Sequence, residues 1–102
     1  MAEIDSHDSL PIRWSPSAAD DLISICRHIE KDSRYYAANF AKNIIVRIEV
    51  LSAFPDAGRI VPEYDNHNIR EIIYHNYRIV YRRKKGMIEI IRITHGARLL
   101  CR

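Results

Sequence analysis

Arginine is the residue type in this chain best suited to chemistry, and it gathers in the second half. Arg59, Arg70, Arg78, Arg82, Arg83, Arg92 and Arg98 lie there, with Lys84 and Lys85 among them. A guanidinium grips phosphate or carboxylate through two parallel hydrogen bonds and keeps its charge at physiological pH. Arg78 is the most informative of the set. In "YHNYRIVYR" (residues 74–82) strand alternation sets Arg78 on the face opposite Tyr77, Ile79 and Tyr81. Two roles are open to it: ligand binding, or a cross-strand salt bridge with Glu71 or Glu89. Histidine is the side chain suited to proton transfer near neutral pH, which makes His95 a candidate acid or base. Next to Gly96, it is equally a strand-end residue that bonds backbone. The five histidines show no close ligand spacing, and Asp65–His67 is too loose a cluster to hold a metal. There is no glycine-rich phosphate loop, nucleophile elbow or dinucleotide fingerprint, so neither metal nor cofactor is expected.

These residues need a scaffold, and its elements are readable. "LPIRW" alternates Leu10, Ile12 and Trp14 against Pro11 and Arg13, which predicts an edge strand. Ser15 caps a helix with Pro16 at its first position, and Ala18, Ala19, Leu22, Ile25, Cys26 and Ile29 form its apolar face. Ser33 caps a second helix whose face is Tyr36, Ala37, Phe40, Ile44, Ile48 and Leu51, and Phe54-Pro55 ends it. The short link between the two implies an antiparallel helical hairpin. Residues 56–68 read mostly as loop. Three strands follow: "IREIIY", "YRIVYR" and "MIEIIRIT". His75-Asn76 joins the first two, with Asn76 expected to take left-handed backbone, and "RKKG" joins the second and third. Pairing Tyr74 with Tyr77 sets Ile72 opposite Ile79 and Arg70 opposite Tyr81. Pairing Arg82 with Met87 adds Ile88, Ile90 and Arg92 to that face, which is assigned to the helices. The other face receives Ile69, Glu71, Ile73, Arg78, Val80, Arg82, Met87, Glu89, Ile91 and Ile93. The fold class is α+β: an N-terminal strand, a helical hairpin, and a three-stranded antiparallel meander in one four-stranded sheet.

The totals bound the answer. The 102 residues suit one domain, read as residues 9–102 after a flexible tail at 1–8. A hydrophobic share of 47% excludes global disorder. The net charge of +3 permits an acidic partner or nucleic acid without demanding either. "MAEIDSHDSL" is too acidic and polar for a signal peptide, and no apolar run is long enough to span a bilayer. Cys26 and Cys101 form no paired motif, so the expected setting is cytoplasmic, without membrane.

"GRIVPE", "IREIIYHNYRIVYR" and "IEIIRITHGAR", with the helical segment that starts at "AADDLISICRHIEKDS", resemble the ParE/RelE superfamily of bacterial type II toxins. The resemblance spans about residues 10–100. It implies a cognate antitoxin, acidic and ParD-like, bound in a hetero-oligomer. The antitoxin would lie on the helical hairpin, with Leu22, Ile29, Phe40, Ile44 and Arg59 as the contacts expected. RelE-like members cleave mRNA in the ribosome, whereas ParE-like members inhibit DNA gyrase and are not nucleases. On the RelE side, Arg78 and Arg98 match family arginines. The family's strand lysines, however, fall near Ile69 and Glu71, and its C-terminal tyrosine falls beyond Arg102. Some nuclease relatives use a histidine near the last strand, and by that resemblance an interferase acting on mRNA at the ribosome would use Arg78, His95 and Arg98, with Glu63 as a carboxylate partner. The ending "HGAR" resembles the ParE branch, which implies gyrase inhibition and no catalytic residue; the positive charge of Arg92, Arg98 and Arg102, with Arg78, is then the expected target-binding surface. A third reading is an inactive module that only binds an antitoxin.

Overall fold

The computed structural model describes residues 9–96. The elements run β1 (Ile12–Trp14), α1 (Pro16–Glu30), α2 (Arg34–Ala53), β2 (Arg59–Ile60), β3 (Ile69–Tyr74), β4 (Tyr77–Lys84) and β5 (Met87–His95). The caps act as their sequence implies. The Ser15 hydroxyl accepts from the Ala18 N–H at 3.0 Å, and the Ser33 hydroxyl accepts from the Tyr36 N–H at 3.1 Å. Ser15 also donates to the Ile91 carbonyl at 2.8 Å, which ties the start of α1 to β5.

The sheet has five strands in the order β1-β5-β4-β3-β2, and it is mixed: β1 runs parallel to β5 while the other pairs are antiparallel. This corrects the four-stranded expectation. The added strand, β2, lies in the stretch read as loop. Only two residues pair there, Arg59 with Glu71 and Ile60 with Arg70, too few to leave a periodic signal. β1 is an edge strand, as Pro11 requires.

The β3–β4 register is the expected one: Tyr74 faces Tyr77, Ile72 faces Ile79 and Arg70 faces Tyr81. The left-handed residue of its turn is His75 (φ 52°), not Asn76. Two-residue hairpin loops whose first position has positive φ match the strand twist, and histidine tolerates that region better than branched residues do. The β4–β5 turn is tighter than expected. Lys84 pairs with Met87 and Arg82 with Glu89, so Lys85-Gly86 alone forms the tip, with Gly86 at φ 79°. A shift of two residues keeps every side chain on its face.

A bulge does not. Tyr81 pairs with Ile90 but Val80 pairs with Arg92, which leaves Ile91 as the extra residue. The alternation of β5 therefore changes phase, and Ile93, expected on the mixed face, is buried in the helix-side core at 2% exposure. Asp21 of α1 holds this irregular point. Its carboxylate accepts from the Arg92 guanidinium at 2.8 and 3.0 Å and from the Ile93 N–H at 2.9 Å.

The main core joins Ala18, Phe40, Ile44, Ile48 and Leu51 from the helices to Tyr74, Ile79, Tyr81, Ile88, Ile90 and Ile93 from the sheet. Tyr36, read as part of the apolar face, is instead exposed, in the first turn of α2. On the other side of the sheet, Val61, Ile69 and Val80 form a smaller core with Tyr64 and Ile91. That core draws the segment after β2 across the back of the sheet. No helix among the described residues is long and apolar enough to cross a membrane.

Candidate functional site

The back of the sheet carries a chain of charges. Arg78 is only 5% exposed and Glu71 only 1%, so neither is solvated by bulk water. Arg78 donates Nε to Glu71 Oε1 at 2.6 Å, and donates both Nη atoms to the two oxygens of Glu63 at 2.7 Å each. Arg59 donates Nε to the other Glu71 oxygen at 2.6 Å. Two arginines and two carboxylates thus neutralise one another, with the Arg78–Glu63 pair bidentate and Glu71 bonded once to each arginine. Strand pairing puts Arg59 opposite Glu71, and the small back-side core brings Glu63 within reach. The Arg78 guanidinium is held above its ordinary range, first by hydrogen bonding to Glu63, against the opposing cost of burial, and further by Glu71. Of the two partners expected for Arg78 by strand pairing, Glu71 is present. Glu89 pairs with Lys84 at 3.2 Å.

Beside this network lies a cleft of about 650 Å³ lined by Arg59, Pro62, Glu63, Ile73, His75, Asn76, Arg78, His95 and Gly96. Arg78, Glu63 and His95 are therefore brought together, although they are distant in sequence. Arg92 is elsewhere, at Asp21. Arg98 and Arg102, like the 1–8 tail and Cys101, lie outside the described residues. No group of three His, Cys, Asp or Glu residues that would hold a metal occurs among the described residues.

A second groove, of about 410 Å³, runs between the helices and is lined by Leu22, Ile23, Cys26, Arg27, Glu30, Arg34, Ala37, Ala38 and Ala41. Its floor is apolar and its rim charged. The Cys26 thiol is pushed up by burial, and further by the Glu30 charge. Leu22 lies in this groove. Ile29 and Phe40 border a smaller cleft near the β3–β4 turn, Ile44 is fully enclosed in the core, and Arg59 is on the opposite face. The five residues expected to contact an antitoxin therefore form no single surface. Leu22 and Ile29 belong to the apolar face of α1 and Phe40 and Ile44 to that of α2, and the sheet covers the side of α2 that bears Phe40 and Ile44.

Sequence reasoning missed one structural centre. The Tyr81 hydroxyl donates to the Pro55 carbonyl at 2.7 Å and accepts from the Gly58 N–H at 3.0 Å, which pins the corner that leads from α2 into β2. The "PDAGR" turn contained a signal for it, since a glycine between turn residues and a strand marks close backbone approach.

No curated protein sequence matches the chain. Among solved structures, it is similar to the chromosomal ParDE toxin–antitoxin system from P. aeruginosa, with a TM-score of 0.72 and 21% identity over 86% of this chain and 97% of that one. It is also similar to the RelBE2 toxin–antitoxin complex from Mycobacterium tuberculosis, with a TM-score of 0.55 and 20% identity over 85% of this chain and 98% of that one. At these identities the likeness establishes the fold. The sequence profile of the ParE toxin of the type II toxin–antitoxin system parDE matches residues 12–100, nearly the whole of the described fold, and the chain belongs to that family.

Proposed function

We propose that this toxin acts on DNA gyrase by binding rather than by cutting RNA, and that an acidic ParD-like antitoxin neutralises it. The observation that carries the first part is the state of Arg78. Cleavage through a ribose 2′-hydroxyl needs a cation offered to the phosphorane and a base ready to take a proton. Here Arg78 gives all three of its hydrogen-bonding nitrogens to carboxylates, and Glu63 gives both oxygens to Arg78. The network is a structural clamp with little left for catalysis. Ile69 and Glu71, near which the resemblance to RelE-like toxins would put lysines, are both buried.

Purified toxin is expected to abolish supercoiling by gyrase and to trap cleaved plasmid. It is expected to leave mRNA on translating ribosomes uncut by primer extension. Neutralising Arg98 and Arg102 together should weaken gyrase inhibition more than neutralising Lys84 and Lys85, since positive charge persists at the chain's end beyond the last acidic residue, Glu89. Intact supercoiling at excess toxin would reject this target. Ribosome-dependent cuts that disappear in His95→Ala would establish the interferase reading, which the shared cleft of His95, Arg78 and Glu63 favours.

The antitoxin part is supported by the groove between α1 and α2. Its alanines permit a close approach by a partner helix, and Arg27 and Arg34 outnumber Glu30 on its rim, with Arg34 3.8 Å from Glu30, which leaves a net positive edge for an acidic partner. Ala38→Arg combined with Ile23→Arg is expected to weaken capture of the co-expressed antitoxin by more than tenfold, read by pull-down and calorimetry. Both positions are exposed, so folding should persist. Unchanged affinity would remove the groove from the interface.

A further inference from the structure

We propose that the cleft between the start of α2 and the β3–β4 turn binds one unstacked purine base of single-stranded DNA. The cleft encloses about 270 Å³ and is walled by Tyr36, Asn39, Phe40, Asn43, Tyr74 and His75. That is small for a ligand pocket and suits one planar ring system. Helical spacing builds one side, because residues 36, 39, 40 and 43 share a face of α2. The hairpin tip builds the other, with His75 held out in left-handed backbone and packed edge-on against Tyr74 at 4.3 Å.

Rings and amides line this cleft together, and the combination selects the ligand. Tyr36 is 66% exposed and His75 is exposed, so both can offer a ring face to a base. The Asn43 amide nitrogen donates to the Tyr74 hydroxyl at 3.1 Å, which leaves its carbonyl oxygen available. The Asn39 amide is half-buried and makes no hydrogen bond among the described residues. An aliphatic side chain of a protein partner would bury these amides without partners, at a cost. A purine edge presents a donor and an acceptor side by side, the pattern a carboxamide reads in two bonds. The lining has no carboxylate, and the Arg47 guanidinium lies 4.8 Å from the Tyr74 ring centre, which sets one cation beside the cleft to meet a phosphate. The inference does not require gyrase to be the target, although a toxin that holds cleaved DNA would meet unstacked bases.

The test is direct binding without gyrase, using fluorescently labelled oligodeoxyadenylate and an abasic oligonucleotide of the same length. Fluorescence anisotropy is expected to give the adenylate at least a roughly tenfold tighter affinity, the effect of stacking one base. Tyr36→Ala and Asn39→Ala should each reduce the adenylate towards the abasic level while leaving abasic binding unchanged. Both side chains lie at the surface of a capped helix, and circular dichroism would confirm that the fold is kept. Equal affinity for the two oligonucleotides would overturn the proposal, as would adenylate binding that ignores both substitutions. Failure of gyrase inhibition with base-dependent binding retained would reject the target and leave this site standing.

Discussion

Glu71→Ala is expected to lower the unfolding free energy by about 3–5 kcal/mol, a large part of the stability of a domain this size. Glu71 is 1% exposed and receives a guanidinium on each oxygen, from Arg78 and from Arg59. Its removal leaves Arg78 with one carboxylate for its charge and an unmatched Nε in a site that excludes water. Breaking a buried pair from one side is costly because the remaining group can neither be solvated nor readily lose its charge. Arg59→Ala removes the outer member of the same chain, whose side chain is 64% exposed, and should cost less than about 1 kcal/mol. Urea denaturation of the purified toxin variants measures both. A Glu71→Ala loss no larger than that of Arg59→Ala would mean that the network does not hold the sheet. Glu71→Gln should fall between the two, since the amide keeps one acceptor and the shape.

The second large effect is expected at the Tyr81–Gly58 corner. A Cβ on Gly58 would lie 2.6 Å from the Glu71 carbonyl oxygen and 2.8 Å from the Tyr81 ring and hydroxyl. The nearest of these atoms is strand backbone, so Gly58→Ala must either separate β2 from β3 or displace a buried tyrosine. It should cost about 1–3 kcal/mol or more by thermal unfolding. Tyr81→Phe keeps the ring but strips the Gly58 N–H and the Pro55 carbonyl of their partner, for about 1–3 kcal/mol.

The same hydroxyl makes stability depend on alkaline pH. Burial is the main cause that raises the Tyr81 pKa above its ordinary 10.0. The folded state therefore retains a proton that the unfolded chain releases. The stabilisation is fully present below the ordinary value and is lost as pH rises through the raised one. Between wild type and Tyr81→Phe, the difference in stability should be constant at neutral pH and shrink above about pH 10. A difference that does not change with pH would refute a protonated, buried Tyr81. A Gly58→Ala variant as stable as wild type would refute the close approach itself.

The sequence alone determined whatever depends on neighbours along the chain. Ser15 and Ser33 marked the helix starts, because a cap bonds the backbone three residues on. The Tyr74–Tyr77 pairing followed from a two-residue turn between alternating strands, and it placed Ile79 and Tyr81 under the helices. Family membership was legible for the same reason, since these local signals recur in a fixed order. Tertiary structure decided what depends on distant segments meeting. The bulge at Ile91 arises where α1 meets β5 and Asp21 reaches Arg92 and Ile93, and no alternation rule could send Ile93 into the core. Two residues of β2 gain pairing from β3 alone. Arg78 had two open roles until the small back-side core drew Glu63 across the sheet, 15 residues away in the chain, and closed a bidentate clamp on it. A guanidinium in water and one between two buried carboxylates are the same letter in the sequence. Only the fold sets which solvent surrounds it, and hence whether it binds a ligand or holds the sheet together.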